Sequence, residues 1–229
     1  MGALAPFFHF LGNKMSTTTT ANKTASQALL ALTQQASGVI TIGSPITVNT
    51  GFGGRIFVKM GRTVATALTN QVGFRFEVSA ETSANNDEWY PLYTWSSTLG
   101  TTTAQSTTLN GATTAGNTTA VLTSGTSWAG GQYAYFRETG TPANSEWSRV
   151  ASLSTNTITL EEAQTRNHTN SIAVTNQAES FTYDFDGAGI VRVRLVVDSQ
   201  TNNSGAVAAS GQTVDVLAWL TTFDSTTTA

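Results

Sequence analysis

The chain has 229 residues, of which 39% are hydrophobic and 11% are charged, and its formal net charge is -3. The hydrophobic content is enough to bury a core, so the chain is expected to fold rather than to stay disordered. The weak negative charge offers no basic surface for nucleic acid, and the absence of cysteine excludes disulfides, thiolate nucleophiles and cysteine-based zinc sites.

Threonine, serine, asparagine and glycine are plentiful in the chain. Threonine is β-branched and fits the pleated, partly solvent-exposed surface of a sheet, so this bias favours sheets over helices. The low charge weakens repulsion between copies of the chain. Such a composition suits a protein that is packed against neighbours.

Residues 1–36 are predicted to form an extended N-terminal arm. The opening MGALAPFFHFLGNK is apolar, but it is too short for a transmembrane helix and lacks the basic start of a secretory signal. Further on, ASQALLALTQQ could form a short helix. The sequence leaves open whether the arm packs on the chain's own core or grips a neighbouring subunit.

From Gly38 onward the hydrophobic pattern has a period of two, which places successive side chains on opposite faces of a sheet. VITI and IFVKM each predict a strand, the second with Ile56, Val58 and Met60 on one face. GFGG at 51–54 predicts the turn between them.

Two later segments alternate in the same way, VGFRFEVSAE and IVRVRLVV, and TVDVLAWLTTF predicts a final strand. If the first two strands are neighbours, Glu77 would pair with Arg192 or Arg194 across the ladder. We therefore expect an all-β protein whose core is a jelly-roll-like β-sandwich. Its first part would be residues 37–98 and its second part residues 179–229.

Residues 99–178 have a different character and predict a small β-hairpin domain inserted into the sandwich. The segment begins with low-complexity GTTTAQSTTLNGATTAGNTT, which favours an extended loop. Short strands then recur in TAVLT, QYAYFRE, EWSRVASL, TITL and SIAV, separated by the Gly, Pro, Asn and Ser residues that mark successive hairpins.

The stretch WAGGQYAYFRETGTPANSEWSRVASL concentrates the aromatic residues of this segment and predicts a hairpin with its turn in TGTPANS. The favoured interpretation is a small hydrophobic core, with charged residues beside the turn available for cross-strand pairing. The alternative is a surface aromatic patch of Trp128, Tyr133 and Trp147 that stacks against a sugar.

The sequence offers little for catalysis. His9 and His168 are the two histidines, they are far apart in the chain, and no serine lies in a G-x-S-x-G elbow. Asp184 and Asp186 in YDFDG could hold a hard cation, but the full calcium-loop pattern is missing and a polar outer strand face explains them better. We expect no enzymatic activity, no catalytic residue, no cofactor and no metal ligand.

One long segment, TTLNGATTAGNTTAVLTSGTSWAGGQYAYFRETGTPANSEWSRVASLSTNTITLEEAQTRNH, resembles a module of tailed-bacteriophage structural proteins. The flanking KTASQALLALTQQASGVITIGSPITVNT and FRFEVSAETSANNDEWYPLYTW are similar to phage virion proteins as well. Together these segments cover most of the chain.

The resemblance implies a virion structural protein similar to capsid cement or decoration proteins. These bind the outer shell through a β-sandwich, often as trimers, and staple adjacent capsomers. The implied partners are the major capsid protein, other virion subunits and further copies of the chain, with a homotrimer favoured and neither nucleic acid nor membrane bound. The implied contact residues in the arm are Phe7, Phe8, Phe10, Leu29, Leu30 and Leu32. A neck, tail or connector component, and a receptor- or glycan-binding module, stay open as alternatives.

Overall fold

The computed structural model describes residues 18–23, 25–35, 39–48, 51–63, 72–82, 88–97, 105–198 and 214–228. These residues form an all-β protein with several antiparallel sheets and a half-barrel. The all-β prediction is confirmed, whereas the finer assignment to a jelly roll is not confirmed.

The strands of the described residues are, in chain order, β1 (Thr18–Lys23), β2 (Gln27–Gln35), β3 (Ile40–Ile42), β4 (Ile46–Thr47), β5 (Gly51–Arg62), β6 (Gly73–Ser79), β7 (Tyr90–Ser96), β8 (Ser106–Thr108), β9 (Thr119–Val121), β10 (Tyr133–Arg137), β11 (Glu146–Ser154), β12 (Thr157–Leu160), β13 (Ala173–Thr175), β14 (Ala178–Asp186), β15 (Arg192–Asp198) and β16 (Val214–Thr228).

These strands form three antiparallel sheets. Sheet I has the order β1-β16-β5-β14, with β2 also paired to β16, and sheet II has the order β3-β15-β6-β7, with β4 also paired to β15. Sheet III has six strands in the order β8-β13-β10-β11-β12-β9. Strands distant in the chain are therefore neighbours in every sheet, so the fold depends on long-range pairing.

Sheets I and II share one hydrophobic core, as the alternating patterns predict. Phe74 and Phe76 of β6 are fully buried there, together with Leu195 of β15 and Met60 of β5. Period-two strands bury one face each, and the two buried faces pack against each other. The predicted inward residues of these strands are thus confirmed, while Ile42 of β3 stays 55% exposed.

The predicted cross-strand pair of Glu77 is confirmed. Glu77 lies opposite Arg194 in the β6/β15 ladder, with Nη2 of Arg194 2.7 Å from Oε2 of Glu77. Arg75 adds a bond to Glu77 at 3.0 Å and one to Asp198 at 2.6 Å. The guanidinium group of Arg194 lies over Trp89, with Cζ of Arg194 4.2 Å from the ring centroid of Trp89. Oppositely charged side chains thereby satisfy each other on the outer face of sheet II.

The prediction of a turn at 51–54 is wrong. Gly53 and Gly54 lie inside β5, between β14 and β16. A Cβ at Gly54 would be 2.6 Å from the carbonyl oxygen of Thr221, and one at Gly53 would be 2.2 Å from that of Phe185. The glycines are therefore needed because neighbouring strands approach closely, not because the chain turns.

The possible helix in ASQALLALTQQ, residues 25–35, is also not formed, since Gln27–Gln35 is strand β2. The pairing of β2 with β16 shifts register between Val216 and Ala218 and again between Ala218 and Trp219. Such bulges let the consecutive residues Leu29 and Leu30 both face the core of sheets I and II. This part of the predicted arm packs on the chain's own core.

Sheet III has a hydrophobic core of its own. Its buried members come from β9 to β13 and the adjoining loops, and they are Leu109, Ala120, Leu122, Trp128, Ala134, Phe136, Val150, Ile158, Leu160 and Val174. The division of the chain at 36, 98 and 178 stays a prediction. No helix of the described residues is long and apolar enough to cross a membrane.

Replacing Leu29 by alanine should lower the free energy of unfolding by about 2–5 kcal/mol, because the deletion leaves a cavity in a fully buried site. Leu32→Ala is the matched control, since Leu32 is only partly buried and lies outside that core. Urea denaturation of both variants measures the difference. Equal losses in the two variants would show that β2 does not belong to the shared core.

Candidate functional site

Two aromatic residues of the β10–β11 hairpin join sheet III to sheet I. Tyr135 and Trp147 are register partners whose rings stack with centroids 4.3 Å apart. The ring of Tyr135 lies over Gly61 of β5, where an added Cβ would be 2.4 Å from it. The indole nitrogen of Trp147 donates a hydrogen bond of 3.0 Å to the carbonyl oxygen of Met60. The hairpin is thus held on the outer face of sheet I.

We call the contact of Tyr135 and Trp147 with β5 the joint. A carboxylate of sheet I completes it. The hydroxyl of Tyr135 donates to Oδ2 of Asp215 at 2.6 Å, and Nε of Arg137 donates to the same oxygen at 2.7 Å. Burial raises the pKa of Tyr135, and the negative charge of Asp215 raises it further. The phenol therefore stays a neutral donor, and the charge of Asp215 is matched by Arg137.

Two buried glutamates on the hairpin hold the loop at residues 165–169. Glu146 accepts hydrogen bonds from the backbone nitrogen of Thr165 at 2.8 Å and from Nε2 of His168 at 3.1 Å. Glu138 accepts one from the backbone nitrogen of Thr169 at 2.7 Å. Nδ1 of His168 is 3.8 Å from Oε1 of Glu138, so the imidazole lies between the two carboxylates.

Glu138, Glu146 and His168 together form a clasp on the loop at residues 165–169. Their electrostatics favour a structural role for the clasp. Burial alone would raise the pKa of Glu146, but the hydrogen bonds from His168 and Thr165 outweigh it and hold that pKa below its usual value. The side chain of His168 has no exposed surface and stacks on Phe136 with ring centroids 5.0 Å apart. A substrate in solvent does not reach an imidazole placed in this way.

The joint leaves a cleft of about 510 Å³ between sheet I and sheet III. Lys59 and Leu217 contribute to the cleft from sheet I, and the hairpin contributes Tyr133 and Trp147. The other residues that line it are Ala143, Ser145, Glu146, Ser148, Arg149, Glu161, Glu162, Ala163, Thr165 and Arg166. Volume, aromatic lining and a position between two packed units are typical of small-molecule sites.

Lys59 is a partly buried cation that lines the cleft. Its Nζ lies 5.9 Å from the ring centroid of Trp147 and 5.7 Å from that of Trp219. It forms no ion pair with any carboxylate of the described residues. Burial lowers the pKa of Lys59, although the negative charge of Glu146 opposes this effect. The cleft at Lys59 could not be predicted from the sequence, because the residues around Lys59 come from distant strands.

The structure corrects the predicted surface aromatic patch. Trp128 is 5% exposed and belongs to the core of sheet III, while Trp147 is 8% exposed and belongs to the joint. Tyr133 is half-buried, and it lines the cleft together with the edge of Trp147 that remains exposed. The patch prediction is wrong because each tryptophan points into a different packed layer.

The predicted contact residues of the arm divide into three groups. Leu29 and Leu30 are buried within the chain, so the prediction that they contact a neighbouring subunit is wrong. Leu32 is half-buried beside the joint. Phe7, Phe8 and Phe10 lie outside the described residues.

The acidic pair of YDFDG has local partners. Arg55, on the neighbouring strand, donates to Asp184 with Nη2 2.7 Å from Oδ2, and Asp186 accepts from the backbone nitrogen of Ala188 at 2.9 Å. No group of three or more histidine or acidic residues is placed to hold a metal ion within the ranges that the structure describes.

Comparison with known proteins gives no relative. No family model matches the chain, and neither a curated protein nor a solved structure matches it.

Replacing Tyr135 by phenylalanine should destabilise the joint by about 1–3 kcal/mol, because it removes a buried hydrogen bond to a carboxylate. Tyr133→Phe is the control, since it removes a hydroxyl from the same strand at the half-buried cleft wall. Thermal unfolding monitored by near-UV circular dichroism measures both. A Tyr133 effect as large as that of Tyr135 would contradict the assignment.

Acid should weaken the clasp. Glu146 has a lowered pKa in the folded state, so its stabilisation is complete above its unfolded pKa of about 4.3 and is lost as the pH falls through the folded value. Glu146→Gln should lower the melting temperature at pH 7 and reduce its further fall below about pH 4. Glu162→Gln is the control on the exposed rim of the cleft. An unchanged acid response in Glu146→Gln would reject this role.

Proposed function

We propose that this chain is a structural subunit of a tailed-bacteriophage particle, and that it binds the outer capsid shell as a cement or decoration protein. Support comes from the resemblance of residues 107–168 and their flanks to virion proteins. The all-β architecture of antiparallel sheets agrees with such a role. A jelly-roll-like arrangement of sheets I and II is part of the same proposal.

The observation that carries the proposal is the apolar character of both edges of sheet II. At the β3 edge, Val39, Ile40 and Ile42 are 45%, 46% and 55% exposed. At the β7 edge, Tyr90 and Tyr93 are 63% and 43% exposed. Edge strands of soluble monomers usually carry charges that prevent further pairing, whereas these exposed side chains are apolar or aromatic. Such edges suit a subunit whose neighbours cover them.

The energetics of shell binding fit a chain without a special contact residue. Burial of apolar surface contributes about 25 cal/mol per Å², from which the costs of association are subtracted. Several moderately exposed apolar side chains supply this contribution together. The partners proposed are the major capsid protein, other virion subunits and further copies of the chain, in a trimer, within the assembled virion.

A neck, tail or connector component would use the same apolar edges, so the position in the particle needs a direct test. Electron microscopy of particles carrying a labelled copy of this chain distinguishes the two. Label on the capsid lattice is expected for a cement or decoration protein. Label confined to one vertex would reject the capsid position and support the alternative.

Ile42→Lys should leave the isolated protein folded, because the side chain is more than half exposed, and should weaken binding to particles that lack this subunit by about tenfold or more. Val121→Lys is the matched control, an apolar residue 40% exposed on β9 of sheet III. Co-sedimentation with the particles measures binding, and melting temperature verifies folding. Equal binding by the Ile42 variant and the parent would contradict an interface at the β3 edge.

A further inference from the structure

The cleft between sheets I and III contains a partly buried lysine. Lys59 lies on the outer face of β5, and its ammonium group is near the rings of Trp147 and Trp219 without an ion pair to a described carboxylate. An ammonium group held partly out of water gains from any anion that enters. The floor of the cleft therefore favours a negatively charged ligand group.

The rest of the lining limits which anion fits. Arg149 is paired with Glu161 at 3.3 Å, and the charge of Glu146 is engaged by the backbone and side-chain donors of the 165–168 loop. Of the charges left, Lys59 and Arg166 are positive and Glu162 is negative. Counted over the whole lining, Lys59, Arg149 and Arg166 balance Glu146, Glu161 and Glu162, so the cleft has no net charge. One anionic group fits beside Lys59, whereas a phosphate dianion or a polyanion would add repulsion from the carboxylates.

The uncharged lining suits a polyhydroxylated ligand. Ser145, Ser148 and Thr165 contribute hydroxyl-bearing side chains, and the carboxylates at the rim accept hydrogen bonds from ligand hydroxyl groups. Tyr133 offers a half-buried aromatic ring on one wall. A volume of about 510 Å³ accommodates a small ring-shaped ligand.

We propose that this cleft binds a carboxylate-bearing sugar, with the carboxylate on Lys59, Arg166 at the rim and the sugar ring against Tyr133. A uronic acid and a sialic acid both supply this chemistry. The proposal concerns a site on the chain itself and does not depend on where the chain lies in a particle. It also differs from the surface patch of tryptophans, since Trp147 here is a wall fixed by the joint.

The experiment is calorimetric titration of the full chain with galacturonate and with sialyllactose, each of which carries one carboxylate. Lactose and maltotriose serve as neutral sugars, and glucose 6-phosphate serves as a phosphate-bearing sugar. We expect binding of at least one carboxylated sugar with a Kd of about 1 mM or lower, and weaker binding of the others. Which of the two carboxylated sugars binds shows whether the ligand is a uronic acid or a sialic acid.

Lys59→Met keeps the aliphatic contact with the two indoles and removes the charge, so it should weaken binding about tenfold to a hundredfold. Lys59→Arg should restore most of the affinity. Arg55→Met is the matched control, because Arg55 is on the same face of β5 but pairs with Asp184 outside the cleft lining. This control should change affinity less than about twofold.

A second variant keeps the test decisive if Lys59→Met does not fold. Arg166→Gln removes the other unpaired cation at the rim, and it should weaken the same binding severalfold. No binding of either carboxylated sugar by the parent protein, equal binding of lactose, or tighter binding of glucose 6-phosphate would each overturn the proposal. Affinity unchanged in both Lys59→Met and Arg166→Gln would overturn it as well.

Discussion

The packing of Tyr135 and Trp147 on β5 is the contact on which the arrangement of this protein depends. Sheet III has its own core, so its position relative to sheet I is set by what the β10–β11 hairpin contacts. The absence of a side chain at Gly61 lets the ring of Tyr135 reach the sheet, and the carbonyl of Met60 fixes the indole of Trp147. A larger residue at position 61 would separate the two units and open the cleft between them.

Buried polar groups then make this arrangement specific. An aromatic contact alone tolerates sliding, whereas the carboxylate of Asp215 accepts from two hairpin side chains at fixed positions. Glu146 and Glu138 do the same for the 165–169 loop, which closes the cleft on one side. Each of these carboxylates would be costly to bury without donors, so loss of one donor affects the whole joint.

Prediction from the sequence succeeded where the pattern is local. Period-two alternation identified β6, β15 and β16 and their inward faces, and matched polar faces identified the Glu77 pair. It failed at GFGG, because a glycine required by a close neighbouring strand is indistinguishable in sequence from one required by a turn. It failed at Leu29 and Leu30, because a bulge in the pairing with β16 hides the strand period. The contacts of His168 could not be predicted, since its two glutamate partners are 22 and 30 residues away in the chain.

Among the described residues, several arginines are paired with carboxylates, whereas Lys59 in the cleft forms no ion pair. Arg55, Arg75 and Arg194 each pair with a carboxylate on a neighbouring strand, and Arg137 of sheet III pairs with Asp215 of sheet I, as expected for a planar group with several donors. Lys59 of sheet I instead lies near two indoles, and burial lowers its pKa although the charge of Glu146 opposes this effect. The ammonium group of Lys59 lines the cleft without an ion pair to a described carboxylate, and an anion bound there would supply that pair.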